Sequence, residues 1–120
     1  MNTQHISTVL ADMALTPGVK ACALVDSATG MVYLSAGQHP QIDAIAEAAS
    51  DYWRLHERSG SPFAKLGPLQ AISMIHRDGV LSLMPCGKGI VMATLSARMA
   101  LDTADWFRQV GELGRLIGQG

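Results

Sequence analysis

Charge is what this sequence has least of. Asp, Glu, Lys and Arg supply 16% of its 120 residues and sum to a formal net charge of −1, where about 25% is usual for a soluble domain. A nearly neutral chain with scattered Lys and Arg carries no electrostatic footprint for nucleic acid and no basic run for an anionic membrane. Long apolar runs are missing too. None approaches the ~20 residues of a membrane span, so no membrane insertion is expected. The opening Met1-Asn2-Thr3-Gln4-His5 lacks the positive region and apolar core of a secretory signal, which predicts a cytoplasmic protein. Cysteine is scarce. Cys22 and Cys86 are too few for a disulfide scaffold and too far apart for a CxxC motif. Both sit in apolar settings, where a reduced thiol packs as a small hydrophobe; a disulfide is the alternative.

What is abundant is apolar side chain, 48% of the residues, and that argues against disorder. The length suits a single domain over residues 1–120, able to bury roughly two-thirds of the surface its unfolded chain exposes. Short of charge and rich in apolar groups, such a domain either buries more than usual or shares a surface with a partner.

Residues 3–15 place Ile6, Val9, Leu10 and Met13 on one helical face, with Asn2 or Thr3 to cap it and Pro17-Gly18 to close it. The compact apolar run over 19–26 predicts a buried strand, and Ser27-Ala28-Thr29-Gly30 turns the chain into a second strand at Met31-Val32-Tyr33-Leu34. Residues 41–58 hold no Gly or Pro and much Ala, which predicts a long helix. A loop containing Gly60, Pro62, Gly67 and Pro68 leads to a third strand over 69–76. Asp78-Gly79 is expected to supply the positive φ of a tight hairpin before a fourth strand over 80–85. Gly87-Lys88-Gly89 turns into a fifth strand over 90–95, and a last helix over 101–117 carries Trp106, Val110, Leu113 and Ile117 on one face. Gly111 and Gly114 each cost that helix ~1 kcal/mol against Ala. They are read as points of close approach to the sheet, or else as fraying.

The last three strands, joined by turns, should form an antiparallel meander. Ile90-Val91-Met92-Ala93 does not alternate with polar residues, so the sheet should be covered on both faces. The fold class expected is therefore α+β. It is a three-layer sandwich, a five-stranded antiparallel sheet with helices on both faces, in the order helix-strand-strand-helix-strand-strand-strand-helix.

No pattern asks for chemistry. Gly87-Lys88-Gly89 lacks the GxxxxGK[ST] spacing and lies between strands, so no phosphate loop is expected. His5, His39, His56 and His76 fall in four segments with no HExxH, which predicts no metal site. There is no GxSxG elbow, and Cys22 lies mid-strand in an apolar run, the wrong setting for a reactive thiolate. Asp26 and Asp78 suit turns, while Glu47, Asp51 and Glu57 belong to a solvated helix face. No catalytic residue, cofactor or metal is expected, and the chain does not read as an enzyme.

The unusual feature is apolar surface. Ile42, Ile45, Ala46, Ala49, Tyr52, Trp53 and Leu55 of the second helix make a face broader than packing on one sheet requires. Either all of it covers the chain's own sheet, or part of it packs on a second copy. The third strand should lie at a sheet edge, and Leu69, Ala71, Ile72, Met74 and Ile75 make it apolar with no charge or Pro inside. A bare edge of that kind is a liability unless paired. An isologous two-fold contact would cover both features, and the eight residues Ile42, Ile45, Ala49, Tyr52, Trp53, Leu69, Ile72 and Met74 are the candidate dimer interface.

Taken in order, Leu15-Thr16-Pro17-Gly18-Val19, Ala21-Cys22-Ala23-Leu24-Val25-Asp26 with Gly30, the Ala-rich second helix, Leu66-Gly67, and Leu83-Met84-Pro85 with Gly87 and Gly89 before Ile90-Val91-Met92 resemble the roadblock family. These are the dynein light-chain-related proteins, whose bacterial members include regulators of Ras-like GTPases. The resemblance covers most of the chain. It implies the element order above and pairing through the second helix and third strand into one double sheet. It also implies a non-catalytic platform for a small Ras-like GTPase or a larger signalling or motor assembly. The competing reading is a profilin-like or PAS-like sensor domain. There one face of a similar sheet encloses a small molecule, with Met74, Met84 and Met92 lining an adaptable pocket.

Overall fold

A computed structural model describes residues 2–119. The chain opens with α1 (Thr3–Met13), capped by the Asn2 side chain, which accepts the His5 N–H at 3.1 Å. Ile6, Leu10 and Met13 form its buried stripe. Gly18 turns the chain into β1 (Val19–Asp26) at φ 93, where a Cβ would stand 2.6 Å from the Ala100 carbonyl oxygen. Only glycine fits there. The hairpin returns through β2 (Val32–Gly37), and α2 (Ile42–Glu57) follows. A short 3₁₀ helix, Pro62–Leu66, interrupts the next loop; Ser61 Oγ accepts the Phe63 N–H at 3.1 Å. Then come β3 (Ile72–His76), β4 (Gly79–Pro85), β5 (Ile90–Ser96) and α3 (Thr103–Gly118).

The five strands form one antiparallel sheet in the order β2-β1-β5-β4-β3. The architecture is α+β, with helices on both faces. Beneath α1 and α3, Ile6, Leu10, Trp106, Val110 and Leu113 close on Cys22, Leu24, Met84 and Met92. Beneath α2, Ile42, Ala46, Ala49 and Trp53 close on Ala21, Ala23, Val25, Leu83, Val91 and Ala93. Small residues on β1 and β5 let α2 sit close to the sheet. β1 reads as an unbroken apolar run because alternate side chains feed the two cores.

Four details differ from the sequence expectations. β3 starts at Ile72 rather than residue 69, because the segment through Pro68 makes no ladder with β4. β2 runs on to Gly37. Gly79 is not in the left-handed region; it is the first residue of β4, where a Cβ would lie 3.2 Å from the Ser96 carbonyl oxygen, so proximity rather than φ explains the glycine. Of the two glycines in α3, only Gly114 marks a close approach, its missing Cβ lying 2.8 Å from the Gly87 nitrogen. Gly111 has open space around it except for the tip of Arg115, 3.9 Å away.

Candidate functional site

The two edges of the sheet are treated differently. β2 is packed by α1, and its register with β1 slips at Tyr33, between Leu24↔Leu34 and Val25↔Val32. Such an irregularity bends an edge away from new pairing. β3 has neither protection. Its five residues pair with β4 in unbroken register, and it makes substantial contact with no other element.

Beside this edge stands one flank of α2. Ile45, half-buried, packs against the same cluster as Leu69, Ile72 and Met74. Ala48, Tyr52 and Leu55 follow Ile45 at helical spacing and are all exposed, Tyr52 by 53% and Leu55 by 46%. A hollow of about 410 Å³ opens between Ile45 and the His76 end of β3, where Lys20 Nζ donates to the Asp78 carbonyl at 3.0 Å. A larger one, about 700 Å³, lies beyond the other end, lined by His56, Phe63, Leu66 and Leu69. The His56 and Phe63 rings stack there with centroids 4.4 Å apart. The two hollows are separate and of mixed lining, with Lys20, His39, His76 and Asp78 around the first and Glu57 and Arg58 beside the apolar groups of the second.

Of the eight residues the sequence singles out, the structure brings four together beside the β3 edge, Ile45, Leu69, Ile72 and Met74, while Tyr52 is exposed further along the same helix flank. Ile42, Ala49 and Trp53 lie in the chain's own core instead. The Trp53 indole N–H is satisfied within the helix by Glu57 Oε1 at 2.6 Å. Leu55, part of the broad face the sequence marks though not of its candidate interface, is exposed here, and exposed Ala48, Phe63 and Leu66 were not singled out. For Ala48 the signal was available, since it shares the stripe of Ile45 and Tyr52.

The ionisable groups are arranged for structure. Burial pushes both the Cys22 and the Cys86 thiol up to about 12, with the neighbouring Cys22 adding to the rise at Cys86. Thiols held so high stay protonated at neutral pH and are poor nucleophiles. The Asp26 carboxylate is held below its usual range, chiefly by the Ala28 N–H at 2.9 Å and also by the Tyr33 hydroxyl at 3.1 Å, which fastens the first hairpin turn. Among the described residues, no three of His, Cys, Asp and Glu come together as a metal ion needs, and no helix is long and apolar enough to cross a membrane.

A five-stranded sheet in this order, with α2 on one face and α1 and α3 on the other, is the fold of a roadblock/LC7 domain. A Streptomyces avermitilis Roadblock/LC7 domain superposes with a TM-score of 0.80 at 21% identity, over 94% of each chain. More particularly, the fold is shared by MglB. The gliding protein MglB from Thermus thermophilus matches at 0.78 and 16% identity, over 98% of this chain and 91% of that one. Myxococcus xanthus MglB also matches at 0.78 and 16%, over 100% of both. No protein-family model matches the sequence, and no curated protein does.

Proposed function

We propose that this protein is a homodimeric, non-catalytic platform that pairs through the flank of α2 and the free edge of β3 and docks a small Ras-like GTPase. The observation that carries the reading is the contrast between the two sheet edges. One is packed and irregular; the other is bare, regular and overlooked by an apolar helix flank. Two copies joined about a two-fold axis would extend the sheet across β3 and bring the two α2 flanks together. Burying Tyr52, Leu55 and Met74 from both copies would repay the ordering cost of association through apolar area. The GTPase rests on the roadblock resemblance and on the shared fold of MglB. Self-association has a parallel in an MglB of the same fold that adopts a tetrameric arrangement. The high-lying thiols favour recognition over thiol chemistry.

Sedimentation equilibrium at micromolar concentration tests the pairing, and a dimer is expected. Tyr52→Glu and Met74→Lys should each raise the dissociation constant at least about tenfold, about 1.4 kcal/mol, with an unchanged circular-dichroism spectrum. Trp53→Asp should instead unfold the chain, because its charge enters the core. A wild-type protein that stays monomeric would remove the central support. For the partner, calorimetric titration with a purified Ras-like GTPase from the same cell should give saturable binding that Met74→Lys weakens.

A further inference from the structure

Four residues that can carry charge line the hollow at the His76 end of β3. Lys20 comes from β1, His39 from the link between β2 and α2, His76 from the last position of β3, and Asp78 from the turn that follows. The remaining lining is uncharged: α2 contributes Ile45, β4 contributes Gly79 and Leu81, and β5 contributes Leu95. The one carboxylate is already engaged. Both Asp78 oxygens accept hydrogen bonds from the adjoining Arg77, from Nε at 3.2 Å and from Nη2 at 3.1 Å. The Lys20 ammonium is tied to the Asp78 backbone carbonyl and not to a carboxylate. When both imidazoles take a proton, the hollow therefore holds three cations around a carboxylate that serves a fourth.

The strand puts one of these histidines on the bare edge itself. Side chains alternate along β3, so His76 shares a face with Ile72 and Met74, the face that packs towards Ile45. His76 is exposed in the single chain, and His39 is half-buried. Suppose a second β3 lies antiparallel along this edge. With the two-fold axis at Met74, His76 stands beside Ile72 of the second copy; with the axis at Ile75, it stands beside Met74 of that copy. Either neighbour is apolar. A neutral imidazole is at ease there. An imidazolium would be drawn partly out of water, close to Lys20, with no free carboxylate in the lining to offset it.

We propose that protons regulate the pairing of two copies through His76, with His39 in support: the pair forms while both imidazoles are neutral and separates when they charge. Such regulation rests on pairing through β3. Histidine is the side chain whose charge changes between about pH 5 and 8, so the response falls in that range. A dimer that holds fewer protons than two free chains is pulled apart by acid. Each proton expelled on pairing raises the dissociation constant by up to about tenfold per pH unit, and a two-fold contact carries two copies of His76. The other two histidines stand elsewhere, His5 on α1 and His56 in the second hollow.

Sedimentation equilibrium of the full chain at about pH 8 and about pH 5.5 tests this. The wild type should pair at the higher pH and show a dissociation constant at least about tenfold larger at the lower, with the same circular-dichroism spectrum at both. His76→Gln should cut that ratio to less than about twofold. His39→Gln and Lys20→Met should each reduce it in part, and His5→Gln should leave it as in the wild type. Independently of any variant, diluting the wild type at about pH 6.5 should take up protons, read as a heat of dissociation that changes with the ionisation enthalpy of the buffer. A ratio near one in the wild type, a response that persists in His76→Gln, a heat indifferent to the buffer, or a spectrum lost at the lower pH overturns the proposal and leaves pairing through β3 standing. A chain that is monomeric at both pH values removes that pairing, and its regulation with it.

Discussion

Two glycines three residues apart in α3 illustrate how one residue type answers opposite demands. At Gly114 an added methyl group would meet backbone, the Gly87 nitrogen at 2.8 Å and the Cys86 carbonyl carbon at 3.1 Å, and backbone cannot swing aside. At Gly111 its nearest neighbour would be the mobile end of Arg115. Gly114→Ala should therefore lower stability by about 1–2 kcal/mol, overpacking outweighing the gain in helix propensity. Gly111→Ala should raise it by up to about 1 kcal/mol. Urea denaturation of both variants checks the pair of signs. The sequence marks both positions as costly in a helix but cannot separate them, because the β4–β5 turn that crowds Gly114 lies far away along the chain.

Among the elements, the first hairpin depends on α2 for its footing. Arg54 reaches from the helix, donating to Ser50 Oγ at 3.0 Å and to the Ser27 carbonyl at 3.5 Å while pairing with Asp51. Gly30 passes beneath, where a Cβ would lie 2.9 Å from Ser50 Oγ. Since the Arg54 side chain is 30% exposed, its bonds are partly screened, and Arg54→Ala should cost about 1 kcal/mol. Amide exchange over residues 27–31 should quicken in that variant, while exchange in β5 stays slow. Which elements exist was largely legible: β1 from its unbroken apolar run, α2 from its freedom from Gly and Pro, α1 from Asn2 and Pro17-Gly18. The 3₁₀ turn was missed, although Ser61 before Pro62 carries the signal of a capped start. Orientation within α2 was not legible. A stripe wide enough to hold both Ile42 and Ile45 shows that one side is apolar, but not which margin of it lies over the chain's own sheet.

For the whole molecule, the proposed pairing would tie folding to concentration. If unfolding releases two chains, each tenfold rise in protein concentration adds about 1.4 kcal/mol to the dimer. Divided by the unfolding entropy of two chains of this length, that is about 3 °C in melting temperature. Calorimetric scans from 5 to 500 μM, on the order of two decades, should show this drift for the wild type, and Met74→Lys should melt lower and drift less at the dilute end. The layered plan followed from the sequence because neither core leaves room for alternation in β1 and β5. The enclosed Ser82 hydroxyl did not, since a lone serine between Leu81 and Leu83 reads as an ordinary outward residue.

The slip at Tyr33 has a bearing on assembly. A sheet able to join others at both margins would go on adding copies and end as a fibre, whereas one with a single receptive side runs out of places to grow after the first union. In the proposed pair the irregular β2 would act as a terminator. Straightening it would let that pair become the repeating unit of a polymer.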